Sequence, residues 1–118
     1  MGLFGKKNKD SAQTSNGGDL LKIAVSNSGA EYTFTVEGRL DTNTSPELEA
    51  KINEVIGNAN KLIIDLGDLE YISSAGLRVL LGATQQMEGK GEMVVRGPSQ
   101  AVREVFDMTG FSRLFTIE

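Results

Sequence analysis

The 118-residue chain contains no histidine and no cysteine. Without cysteine there is no disulfide framework and no thiolate metal site. Without histidine there is no Ser-His-Asp mechanism, no imidazole acid–base catalysis, and none of the usual zinc or transition-metal ligation. A Gly-x-Ser-x-Gly nucleophile elbow and a Gly-x-x-x-x-Gly-Lys phosphate loop are also missing. No catalytic role, no metal and no cofactor are therefore expected. In residues 1–18 only Leu3 and Phe4 are large and apolar, so no secretory core is present and no stable membrane insertion is expected. Met1-Gly2-Leu3-Phe4-Gly5 is similar to an acylation start, but Lys6 stands where that signal takes Ser or Thr.

The charge that is present is unevenly spread. Residues 1–18 carry Lys6, Lys7 and Lys9 against Asp10, a net of +2, whereas the remaining hundred carry nine basic and fifteen acidic side chains, a net of −6. An acidic body repels nucleic-acid phosphates and suits a basic protein surface. Residues 1–18 are rich in Gly, Lys, Asn and Ser and read as a disordered tail. Residues 19–118 are long enough for one domain with its own core.

Within that domain Leu21, Ile23 and Val25 alternate with polar or small residues, as do Tyr32, Phe34 and Val36. Two strands joined at Asn27-Ser28-Gly29-Ala30 are predicted, antiparallel, with the first near a sheet edge. Gly38 to Thr44 reads as a polar loop. Ser45-Pro46-Glu47 opens a helix with Thr44 or Ser45 as its cap, and Leu48, Ile52, Val55 and Ile56 form its buried face. Lys61 to Leu66 is nearly all apolar, the pattern of a central parallel strand. A second helix follows, with Leu77, Leu80, Leu81 and Thr84 inward; then a strand over 92–96; then a third helix begun by Pro98-Ser99 and closed by Gly110; then a short strand over 114–117. The predicted fold class is α/β, a mixed, mostly parallel sheet of about five strands in the order β-β-α-β-α-β-α-β. Ligands of such sheets meet the C-terminal strand ends. The loops over 38–44 and 67–74 should come together there.

The second of those loops leads into Tyr71-Ile72-Ser73-Ser74-Ala75-Gly76-Leu77, two hydroxyls at a helix start. Helix N-termini present free N–H groups and the positive end of the macrodipole, which suits a phosphate. With no histidine to act as base, a serine here reads as an acceptor rather than a nucleophile. A phosphoserine adds roughly −1.5 to −2 charge. That charge would stand near Asp41 and Asp68 if the loops meet, while the small Ala75 and Gly76 would let a partner's active site approach.

Three blocks make the domain resemble the STAS family of anti-sigma-factor antagonists. They are Gly38-Arg39-Leu40-Asp41, the run Leu62 to Leu81, and Ala101-Val102-Arg103-Glu104-Val105-Phe106 through Thr109-Gly110-Phe111 to Leu114-Phe115. The resemblance implies a cytoplasmic, bacterial transcription regulator that works by partner switching. Its unphosphorylated form would bind an anti-sigma factor that is itself a serine kinase, and phosphorylation would release it. A PP2C-type phosphatase would reset the cycle. By position the acceptor is Ser74, two before Gly76, with Ser73 as the second choice because the family often carries Asp there. Asp41 matches an acidic residue near the acceptor. Asp41, Thr42, Ser73, Ser74, Ala75, Gly76 and Arg78 form the expected partner surface, on a domain expected to be monomeric when free. The family also includes accessory subunits of lipid-transport ATPases, the alternative role.

Overall fold

The computed structural model describes residues 20–118; the expectations for residues 1–18 lie outside this range. Strands β1 (Leu21–Ser28) and β2 (Glu31–Leu40) lead to helix α1 (Ser45–Val55), which tightens into a 3-10 turn at Ile56–Asn58. Strands β3 (Lys61–Asp65) and β4 (Leu69–Ile72) precede helix α2 (Ser74–Met87). Strand β5 (Glu92–Arg96), helix α3 (Gln100–Thr109), a 3-10 turn at Phe111–Arg113 and strand β6 (Thr116–Ile117) complete the described residues.

The sheet runs β1-β2-β3-β5-β6, with β4 paired to β2. Only β1 is antiparallel to its neighbour, and β1 is an edge strand, as its alternation with β2 predicts. The described sheet has six strands rather than about five. The additional one, β4, lies inside the stretch expected to be a loop. Its residues Leu69-Glu70-Tyr71-Ile72 are buried, exposed, exposed and buried, so the period of two that marks a strand is lost. The cause is a bulge in β4: consecutive Gly38 and Arg39 of β2 pair with Leu69 and Tyr71, so Glu70 is the extra residue, and Leu40 then pairs with Ile72. β2 thus serves β3 over residues 31–35 and β4 over residues 38–40 along the same edge. Gly38, Arg39 and Leu40 belong to this long strand and not to the polar loop the sequence suggests.

Gly38 is where side-chain size matters. Its φ is +103°, and a Cβ there would run into the backbone carbonyl of Leu20. At the last strand only Thr116–Ile117 pair; Leu114 and Phe115 precede it, Phe115 in the core and Leu114 exposed.

The helices cover one face of the sheet. Phe34, Val36, Leu62, Ile64, Met93 and Val95 from the strands share one cluster with Leu48 and Ile52 of α1, Leu77 and Leu80 of α2, and Val102 and Phe106 of α3. Met87 and Met93 are buried in it, as packing residues. Ile63 and Val94, one residue out of phase, point to the opposite face. There Asp65 pairs with Arg96 at 3.2 Å and Lys61 with Glu92 at 3.6 Å. Asp65 also accepts the Gly67 amide, so its role is local.

Candidate functional site

β2 and β4 end side by side. The Ser73 amide donates to the Leu40 carbonyl at 2.9 Å, closing the strand pair. The Ser73 carbonyl in turn accepts from the Leu77 amide at 3.0 Å and opens α2. The residues that follow each strand, Asp41 and Ser73, are therefore neighbours across the sheet edge. The expected meeting of the two loops is present, in the form of two strand ends.

Asp41 organises its own side of the site. Its Oδ1 accepts from the amides of Asn43 at 2.9 Å and Thr44 at 3.0 Å, and its carbonyl accepts from the Ser45 amide at 2.8 Å. The Thr44 hydroxyl lies 3.2 Å from the same Oδ1 and donates to the Arg39 carbonyl at 2.8 Å. Thr44 occupies the N-cap position of α1, yet neither its hydroxyl nor that of Ser45 caps the helix. The Asp41 carboxylate caps the preceding turn instead, taking the Asn43 and Thr44 amides one turn earlier than the sequence suggests. These bonds, the Thr44 amide foremost, hold the Asp41 carboxyl below the usual carboxylate range, with the Arg39 charge adding to the effect.

On the other side, Ser73 stands at the N-cap of α2 with extended backbone (φ −99°, ψ 177°) and makes no side-chain cap bond. Its Oγ is buried and has no hydrogen-bond partner among the described residues. Ser74 is the first residue of the helix and is exposed. Leu77 is core and Arg78 faces out, as expected. Ala75 is half-buried, while Gly76 is buried and its smallness serves the interior. A Cβ at Gly76 would lie 2.8 Å from Ile72 Cγ1 and 2.9 Å from the Leu40 side chain. The expectation that Gly76 clears room for a partner is corrected: it lets α2 sit on the ends of β2 and β4.

Asp68 is likewise displaced from the site. It precedes β4, where its carbonyl accepts the Gly38 amide at 3.2 Å, so the four residues of β4 separate it from Ser73. At about 3.3 Å per residue that is more than 13 Å of extended chain. Asp68 lines a broad depression of about 700 Å³ with Lys22, Glu37, Glu70 and Ser99. Asp41 follows the Leu40 carbonyl that the Ser73 amide meets, and Thr42 shares one depression with Ala75 and Arg78, while Ser74 adjoins them in sequence.

Sequence reasoning named Thr42, Ala75 and Arg78 but missed Ser45, Pro46, Glu49 and Val79, which stand with them between the helices. The first turns of α1 and α2 flank a depression of about 170 Å³ lined by Thr42, Ser45, Pro46, Glu49, Ala75, Arg78 and Val79. Their signal was helical spacing: Ser45 and Glu49 stand at i, i+4, and Ala75, Arg78 and Val79 at i, i+3, i+4. Also unread was Arg39, whose guanidinium lies 4.4 Å from the centroid of the Tyr71 ring beside the site. No group of three or more metal-ligating side chains occurs among the described residues.

The STAS domain model matches residues 22–118. The chain belongs to the STAS domain family. A STAS relative from Bordetella bronchiseptica, "Putative anti-sigma factor antagonist BtrV", is 39% identical over 99 residues, covering 82% of this chain and 85% of that protein. The crystal structure of an anti-sigma factor antagonist from Mycobacterium paratuberculosis superposes with a TM-score of 0.77 at 26% identity, over 84% of this chain and 86% of that one. SpoIIAA in its unphosphorylated form superposes with a TM-score of 0.71 at 22% identity, over 81% of this chain and 87% of that one, and bears on the fold alone. The six-stranded, mostly parallel sheet with three helices is a STAS fold. No helix among the described residues is long and apolar enough to cross a membrane.

Proposed function

We propose that this STAS domain is an anti-sigma-factor antagonist whose binding to an anti-sigma serine kinase is switched by phosphorylation of Ser74. The observation that carries the reading is the contrast between adjacent hydroxyls. Ser74 is exposed on the first turn of α2, whereas the Ser73 Oγ is buried. A kinase can reach the first without unfolding the helix. In the transfer, Ser74 Oγ bonds to the γ-phosphorus of ATP, the bond to the β-phosphate oxygen breaks to leave ADP, and the hydroxyl proton passes to the kinase. A phosphatase of the PP2C type hydrolyses the phosphoester and restores the hydroxyl. The domain is substrate and binding module, and supplies no catalytic group of its own. The names borne by its relatives support this reading.

The fold tolerates the product. The phosphate joins a helix N-terminus, where an anion is stabilised by about 0.3–1 kcal/mol. The partner surface does not tolerate it, because a surface fitted to a neutral hydroxyl now meets about two negative charges. Ser74→Ala is expected to bind the kinase and resist phosphorylation. Ser74→Asp is expected to fold normally and bind about 100- to 1,000-fold more weakly, the equivalent of about 3–4 kcal/mol. Intact mass after incubation with kinase and ATP, followed by peptide mapping, checks the site. Wild-type affinity in both variants would sink the switch.

A further inference from the structure

Ser45 Oγ and Ser73 Oγ are the two buried side-chain oxygens without a hydrogen-bond partner among the described residues. Buried hydroxyls are normally bonded, so an orphan asks for a ligand. These two are placed alike, Ser45 in the first turn of α1 and Ser73 at the N-cap of α2. Ser45 is 2% exposed and belongs to the wall of the 170 Å³ depression between the helices, with Ala75 and Arg78. The first turn of α2 carries no acidic residue and no side-chain cap, so its amide donors are unfilled among the described residues. Ser73 and Ser74 are not part of that wall but directly precede Ala75, which is.

We propose that the depression between α1 and α2 is the seat of the phosphate borne by Ser74, with the Ser45 and Ser73 hydroxyls and the first amides of α2 as donors and Arg78 as counter-charge. The proposal deepens the phosphorylation reading above and rests on it. An anion there meets the N-terminus of α2 and one guanidinium, while in α1 the Ser45 and Glu47 amides already bond the Asp41 and Thr44 carbonyls and Pro46 has no N–H. Three acids oppose it, one of them Glu47 in the first turn of α1. The Asp41 carboxylate is turned to the Asn43 and Thr44 amides. Glu49 lines the far side from α1, one turn beyond Ser45. Ser45 and Ser73 are positioning residues in this arrangement, since they hold the phosphate and take no part in its transfer.

The test installs phosphoserine at position 74 during translation, so no kinase is needed. Melting temperatures are compared between phosphorylated and unphosphorylated forms of the wild type, Ser45→Ala and Ser73→Ala. Phosphorylation is expected to raise the wild-type Tm by about 4–8 °C. Each alanine variant is expected to lose at least about half of that increment, as coupled groups do in a double-mutant cycle. A merely structural serine shifts both forms equally and leaves the increment intact. In parallel, the Ala75 and Gly76 amide proton resonances are expected to move downfield on phosphorylation. Increments equal to wild type in both variants, or a phosphate that lowers Tm, overturn the seat. A kinase that ignores Ser74 overturns the switch, and the two failures are read in separate experiments.

Discussion

Asp41 shows how one side chain ties fold to site. Its carboxylate ends the free amides of the turn before α1, and the same turn stands beside Ser73. Because its folded pKa is depressed, ionisation favours the folded state. That stabilising contribution is fully present above the unfolded aspartate pKa of about 3.9 and is lost as pH falls through the lower folded value. Asp41→Asn keeps an acceptor oxygen and removes the charge. The stability gap between wild type and Asp41→Asn is therefore expected to hold at neutral pH and close on acidification below about pH 4, as read by urea midpoints across a pH series. A gap independent of pH would assign the carboxylate no electrostatic role. The residue's importance was legible in the sequence through its family block, but the reason was not. Its use as a cap one turn ahead of Thr44 depends on the path of the chain out of β2.

At the scale of one element, α2 contains two glycines with opposite expected behaviour. Gly82 has nothing within 4 Å of a built Cβ, so Gly82→Ala relieves the helix of backbone entropy. It is expected to stabilise by about 0.5–1 kcal/mol. Gly76 packs onto Leu40 and Ile72 with no space for a methyl. Gly76→Ala is expected to destabilise by about 1–3 kcal/mol, overriding the same helix preference. Chemical denaturation of the two variants side by side decides it, and a shared sign would contradict the packing assigned to the N-terminus of α2. The helices were the readable elements: Leu77 and Leu80, or Val102 and Phe106, repeat at helical spacing and are buried as that spacing predicts. β4 was not readable, because a four-residue strand containing a bulge carries too little alternation to be told from a loop.

For the whole molecule, the break between β3 and β4 is the feature on which sheet, third helix and site depend together. Leu66 leaves the ladder after Asp65, its amide bonding the Arg96 carbonyl at 3.1 Å and its carbonyl accepting the Ser99 amide at 3.2 Å. The Ser99 hydroxyl donates to the Leu69 carbonyl at 2.6 Å and accepts the Val102 amide at 3.3 Å. From its sequence neighbours Ser99 is a helix cap. In the fold it also fastens the start of β4 to α3, a long-range role that no local pattern announces. Because β4 runs straight into Ser73, slack introduced at Ser99 should travel four residues along the strand to the site. Ser99→Ala removes a cap, at about 0.5–2 kcal/mol, and leaves a part-buried carbonyl short of a donor. A total loss of about 1–3 kcal/mol is expected in urea unfolding. The local signature is sharper than the global one. Amide exchange at Ser73, whose N–H closes onto the Leu40 carbonyl, should quicken by more than exchange at Ile64 in β3, because β4 is short and held at its start by this serine. Equal acceleration at the two amides would mean that Ser99 contributes only to overall stability and that β4 keeps its place without it.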